Sequence, residues 1–276
     1  PGTATAALVL DANGLPLLHL EVLVRPDEVL LVVPDDDAVA TVMDLLAGRT
    51  FLAEARFAPE DAAVLVLHGA GAAAAARAAG LGVADGGVEE HAETVVADAR
   101  AGARRLVVAP AALDGILAAL RDAGAGVGTP ADLDAWRIRA GIPAWGREVV
   151  APHLPEELGL LTTHVHLAKG CYPGQEAVAR MWMLGRPRRR LARVAVDGDL
   201  ASGWTAGTGR DEVRLTVTGP GVGLAFVPGT AAVGDRSTGA DGAVEVLDLV
   251  GDGPMPPGHD PAMRRRRDRP RGGDGA

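Results

Sequence analysis

Short apolar runs punctuated by turn residues are what most restrict the fold of this chain. None reaches the roughly 18 residues that a membrane span needs. The rhythm of the interruptions changes once, near residue 190. Before it, hairpins alternate with single helices. "ALVLDANGLPLLHLEVLV" offers two apolar runs about an Asn13-Gly14 turn, and "VLLVVP" is a third strand beyond Arg25-Pro26-Asp27-Glu28. Asp35 to Asp37 can cap a helix to about Leu46, closed by Gly48. "AVLVLHG" reads as a buried strand, "AAAAARAAG" as a helix stopped at Gly80, and "RRLVVAP" as another strand. A helix over Pro110 to Ala123 ends at Gly124, and Thr129 and Pro130 open one more over "ADLDAWRIRA". This alternation predicts an α+β domain with a mixed or antiparallel sheet.

After residue 190, "LARVAVDG", "EVRLTVTG", "GVGLAFVPG" and "AVEVLDLV" are short strands spaced by Gly-rich turns, as in a small β-barrel or sandwich. The expected divisions are 1–185 for the α+β part, 186–250 for the barrel and 251–276 for a disordered tail. In that tail the run Arg264–Arg267 reads as a solvated charge cluster. Aromatic residues make up only 3% of the chain, so its cores must be packed from Val, Leu and Ala. A net charge of −9 argues against direct nucleic-acid binding. Residues 1–150 carry a balance of −10 and residues 151–276 one of +1, so an anionic ligand is expected in the second half. One cysteine rules out an intrachain disulfide and fits a reducing cytoplasm. The start, "PGTATAALVLDANG", shows no signal peptide, and its Pro1 suggests that a natural N-terminus precedes it.

One stretch stands apart. "KGCYPGQE", residues 169–176, holds the only Lys, Cys, Tyr and Gln of the chain, against 26 arginines elsewhere. Gly170, Pro173 and Gly174 break regular structure around Cys171, and "GQEAVARMWML" resumes at helical spacing. Cys171 is thus expected in a turn just before a helix N-terminus, whose free N–H groups favour a nearby thiolate, with Lys169 adding a cation. Glu176 and Arg180, four apart, can pair across one turn. A small buried thiol packed as a hydrophobe is the alternative for Cys171. A hydrolase nucleophile would need a base, for which His153, His164 and His166 are near in sequence. His164-x-His166 on a strand would point both rings to one face, a weak metal signal without any CxxC.

These residues carry a resemblance. "KGCYPGQEAVAR" resembles the K-G-C-[YF]-x-G-Q-E signature, followed by an A-R pair, of the YgfZ family of folate-binding proteins. Its mitochondrial relatives are iron–sulfur assembly factors. "RIRAGIPAWGRE" (137–148), "LPEELGL" (154–160) and "GRPRRRLARVAV" are similar to further family elements, so the likeness covers roughly 130–197. The resemblance implies an aminomethyltransferase-like fold of several lobes with a C-terminal β-barrel, binding tetrahydrofolate in a central channel. The family's Q-G-Q-x-[TS]-x-D element is missing, so that fold is expected to be N-terminally incomplete here. The end "PMPPGHDPAMRRRRDRPRGGDGA" also departs from the family. By the same resemblance Cys171 is the reactive group, and Lys169, Tyr172, Gln175, Glu176 and Arg180 belong to the folate-binding loop. The implied role is support of iron–sulfur cluster assembly or repair in client proteins, including enzymes of tRNA modification. A folate-dependent aminomethyl or one-carbon transferase is the alternative. Transferases place an Asp in the first hairpin, where "GLPLLHLEVLV" offers His19 and Glu21 instead. A scaffold that only docks partners is the third reading, and the scarcity of aromatics gives it no evident hot spot.

Overall fold

The computed structural model describes residues 2–47, 55–184 and 187–251. They fall into two compact units, Pro1–Leu8 with Leu18–Ala140, and Val9–Leu17 with Gly141–Ala276. Gly48 and the tail with Arg264–Arg267 lie outside the described residues.

The first unit is built on a seven-stranded sheet. Along the chain come β1 (Gly2–Leu10), β2 (Pro16–Val24), β3 (Val29–Val32), α1 (Asp36–Leu46), β4 (Ala63–Leu67), α2 (Ala72–Ala78), β5 (Gly87–His91), β6 (Thr94–Asp98), β7 (Arg104–Val108), α3 (Leu113–Asp122) and α4 (Pro130–Arg139). The strand order is β3-β2-β1-β5-β6-β7-β4. The pairings β1–β5, β2–β3, β4–β7, β5–β6 and β6–β7 are antiparallel, which selects the second of the two sheets expected. The sheet is apolar on both faces. Val96, Leu106 and Val108 pack with Ala76 of α2 and Leu120 of α3, while Val95 and Ala97 pack with Leu23 and Val88. Burial on both sides is why β6 carries Val95, Val96 and Ala97 in succession rather than an alternation.

Local signals place the helices. Asp35 Oδ1 accepts from Ala38 N at 2.8 Å and caps α1. Thr129 and Asp132 form a reciprocal capping box ahead of α4, with Pro130 in its first turn. The β5–β6 hairpin is absent from the sequence reading. Its turn holds Ala92 at φ 49, where a Gly or Asn would have announced it.

The second unit holds α5 (Leu161–His164), α6 (Gln175–Leu184), β8 (Arg189–Gly198), β9 (Thr205–Ala206), β10 (Val213–Gly219), β11 (Val222–Pro228), β12 (Arg236–Gly239) and β13 (Gly242–Leu249). Its six strands run in the order β12-β13-β8-β11-β10-β9 and curl so that β12 returns beside β9, a nearly closed barrel. Val194, Val213, Leu215, Ala225, Val227, Val244 and Val246 fill it, and the partly buried Trp204 packs against that core. Each fully buried Leu or Val here contributes roughly 1.5–3 kcal/mol. The core is aliphatic, as the shortage of aromatics requires.

The segment before α5 is fastened to the barrel. Glu148 is fully buried, accepting from Ala144 N at 2.9 Å and from the Thr216 hydroxyl at 2.8 Å. Leu191 N donates to Glu157 O at 2.7 Å.

Candidate functional site

The stretch 169–180 folds as a turn that runs into α6. Gly174 O accepts from Val178 N at 3.1 Å and starts the helix. Ahead of it, Gln175 N donates to Tyr172 O at 3.3 Å, and the Gln175 Oε1 accepts from Tyr172 N at 3.3 Å. The glutamine thus closes the loop on itself with both backbone and side chain. The Lys169 ammonium stands 4.8 Å from the centre of the Tyr172 ring, a cation–π contact. Burial raises the Tyr172 phenol above its ordinary pKa.

Cys171 is exposed, so the reading of it as a small buried hydrophobe is overturned. The loop has no apolar pocket to offer it, because Gly170, Pro173 and Gln175 around it are exposed as well. Glu176 and Arg180 pair at 2.6 Å with side chains 85% and 69% exposed. In water such a pair stabilises the helix by at most about 0.5 kcal/mol. Of the residues singled out by sequence, the structure brings together Lys169, Tyr172 and Gln175 on one side, and Glu176 with Arg180 on the other.

What anchors the loop is a contact that sequence reasoning missed. Gly174, at φ +78, lies against the tip of the β1–β2 hairpin. A Cβ there would come within 2.6 Å of Gly14 N and Cα, and closer still to Asp11 O. From the other side, a Cβ on Gly14 (φ +81) would stand 3.2 Å from the Ala177 Cβ and 3.5 Å from Val178 Cγ2. Two turns therefore touch backbone to backbone, and only glycine permits it at 174. The hairpin tip itself is wider than the two-residue Asn13-Gly14 turn expected. Gly14 alone in it has positive φ, whereas that turn type needs both central residues there. Asp11 takes over instead: its carboxylate accepts from Asn13 N and Leu15 N, each at 2.8 Å.

The histidines do not assemble around the thiol as a strand would have placed them. His164 ends the helical turn α5 and is buried, with Thr163 Oγ1 2.7 Å from its Nδ1, so His164 and His166 do not share a strand face. The "HVH" alternation was misleading because the apolar Leu158-Gly159-Leu160 that precedes it feeds a helical turn. His153 stacks on Phe226 at 3.8 Å and sits 3.8 Å from Glu157. Among the described residues no group of three or more His, Cys, Asp or Glu is placed to hold a metal ion.

Two carboxyls of "LPEELGL" titrate in opposite directions. Burial pushes Glu156 up to about 7, with Arg190 opposing and Glu157 reinforcing the rise. Burial also works on Glu157, but hydrogen bonds from His153 and from Leu154 N outweigh it and leave its carboxyl below the ordinary value. In the first unit, Glu21 is clasped by Arg105 through bonds of 2.6 and 3.1 Å. Burial lowers the pKa of His19 on the same strand, against the pull of Glu21.

No protein-family model matches the chain, and no curated protein matches it either. Among solved structures, it is similar to the glycine cleavage system aminomethyltransferase T from Bartonella henselae. The two are 17% identical, with a TM-score of 0.75 over 89% of this chain and 74% of that one. At that identity the likeness concerns the fold alone: the chain has an aminomethyltransferase-like α+β architecture with a nearly closed barrel.

Proposed function

We propose that this chain binds tetrahydrofolate and supports iron–sulfur cluster assembly or repair in client proteins, enzymes of tRNA modification among them. The observation that carries the reading is an exposed Cys171 on a loop locked at Gly174, within an aminomethyltransferase-like fold. The side chains of the loop suit the ligand. Lys169, Gln175, Glu176 and Arg180 are all exposed, and offer two cations, an amide and a carboxylate to a molecule that carries carboxylates and a hydrogen-bonding ring. The Glu176–Arg180 pair is weak enough to open for it. Bound tetrahydrofolate would supply one-carbon chemistry. Lys169 and Arg180 hold its anionic end, while Tyr172 and Gln175 keep the turn closed. One cysteine cannot hold a cluster alone, so the Cys171 thiol acts on clusters that belong to other proteins.

A thermal-shift titration with tetrahydrofolate tests the binding half. A rise in Tm that grows with ligand concentration is expected, and a flat response discards it. For the cellular half, cells lacking the protein should lose iron–sulfur enzyme activity. The wild-type chain should restore it; Cys171→Ala and Cys171→Ser should not. Full rescue by Cys171→Ser would show that the thiol is not the working group.

The aminomethyl-transfer reading is favoured by the solved structure that this fold resembles. Against it, Glu21, the carboxylate in the hairpin stretch where transferases carry an Asp, is bonded twice by Arg105 and is not poised to assist a reacting amine. Formation of methylene-tetrahydrofolate from an aminomethyl donor would reverse that judgement.

A further inference from the structure

The anchor under the motif loop is itself built by a side chain that lies far from it in sequence. Asp11 shapes the hairpin tip twice over. Its carboxylate accepts from Asn13 N and Leu15 N at 2.8 Å each, and from Asn13 Nδ2 at 3.4 Å. Its backbone closes the same turn, with Asp11 N donating to Leu15 O at 2.9 Å and Asp11 O accepting from Gly14 N at 3.1 Å. That carbonyl is also the atom that a Cβ at position 174 would strike hardest. The bond from Leu15 N, opposed by desolvation and reinforced by Asn13 and Gly14, holds the Asp11 carboxyl below the usual range. It therefore stays ionised, and a full acceptor, at neutral pH.

The contact continues into α6. Ala177 and Val178, in its first turn, lie over Gly14, and Val178 is buried. The place where α6 begins is set by the surface of the 11–15 turn. Cys171, Tyr172 and Gln175 all lie within three residues of Gly174, so they move with it.

We infer that Asp11 is a positioning residue for the 169–180 loop: by folding the turn on which Gly174 rests, it determines where Cys171 and Gln175 stand. The inference rests on the functional reading only where it concerns folate; the mechanical part holds for any role of the loop. An Asx turn requires a carboxylate or amide oxygen at this position, and alanine offers neither.

The protein's single thiol makes the test direct, because alkylation by iodoacetamide reports on Cys171 alone. The rate is measured under native conditions for the full chain, for Asp11→Ala and for Asp11→Asn, which keeps an acceptor oxygen. Asp235→Ala serves as the control. Asp235 accepts from Ala232 N at 2.8 Å in a comparable turn of the barrel, away from the loop in sequence. The Asp11→Ala rate should depart from wild type by roughly fivefold, the scale of population shift that loss of one such hydrogen bond produces. Asp11→Asn should return to within about twofold of wild type. Asp235→Ala should lower Tm without moving the rate. Should the alanine chain not fold, Asp11→Ser, whose hydroxyl closes the turn more weakly, carries the same test with a smaller departure.

An unchanged rate in Asp11→Ala overturns the inference. So does a change that Asp235→Ala reproduces at equal loss of Tm, since that would reflect general loosening. Tetrahydrofolate affinity, measured on the same chains, separates the two proposals. An altered alkylation rate with unaltered affinity leaves Asp11 as the positioning residue and removes the loop from the folate site.

Discussion

The loop at 169–180 and the barrel that follows it are held in opposite ways. In the barrel, side chains do the holding: Leu215, Leu224 and Val227 are fully buried, and β8, β10, β11 and β13 all contribute residues to the core. In the loop, Cys171, Gln175 and Glu176 face solvent, and the firmest contact is at Gly174, a residue with no side chain. Stability rests on buried side chains in the one and on a backbone contact in the other. The barrel can be rebuilt from any aliphatic set of similar volume, whereas the loop holds the chain's single Lys, Cys, Tyr and Gln, with only Tyr172 of the four half-buried.

The largest effect should come from the barrel. Leu215→Ala is expected to cost about 2–5 kcal/mol in urea denaturation, while Tyr172→Ala in the loop should cost under about 1 kcal/mol. Equal losses would erase the distinction. Next is the one loop position that behaves like core. Gly174→Ala combines a left-handed backbone with a backbone collision, and should cost on the order of 1–3 kcal/mol. Its Cys171 alkylation rate should also shift, and a chain as stable as wild type would mean that the two turns are not in contact.

The segment that precedes both regions in the chain adds a pH signature. Between the ordinary Glu value of 4.5 and about 7, folded Glu156 retains a proton that the unfolded chain releases. The unfolding free energy contributed by this group is therefore full below 4.5 and falls as pH rises through about 7. Glu156→Gln should flatten that part of the stability–pH curve; an unaltered slope would assign the titration elsewhere. The smallest effect belongs to the exposed ion pair, where Glu176→Gln should change stability by no more than about 0.5 kcal/mol.

Much of this arrangement was legible in the sequence where the signal is local. Asp35 and Thr129 announced their helices because a cap needs only neighbouring backbone. The barrel strands were visible through their Gly-rich spacing. The oddity of 169–176 pointed to the loop, and its exposure fits residue types kept for their chemistry. The β5–β6 hairpin escaped because its turn uses Ala92 in a conformation that alanine seldom adopts. The contact between Gly14 and Gly174 escaped for a different reason. It joins positions at opposite ends of a long stretch of chain, and it is made by backbone atoms, which look alike at every residue. Glu148 was readable as part of "RIRAGIPAWGRE", but not its burial against Thr216, which depends on where the barrel lies.

The glycine pair also has a bearing on how this protein can vary. Each glycine keeps open the gap that the other needs, so their effects cannot be independent. A first methyl group at 174 forces the two turns apart, while one at 14 asks its neighbours to give by only a few tenths of an ångström. A second, introduced into turns already separated, then meets little that is left to disturb. A double-mutant cycle across Gly14 and Gly174 should give a combined loss smaller than the sum of the single ones. Variation at this junction would consequently be epistatic: once the turns are apart, a second change keeps its own left-handed backbone strain but loses the collision.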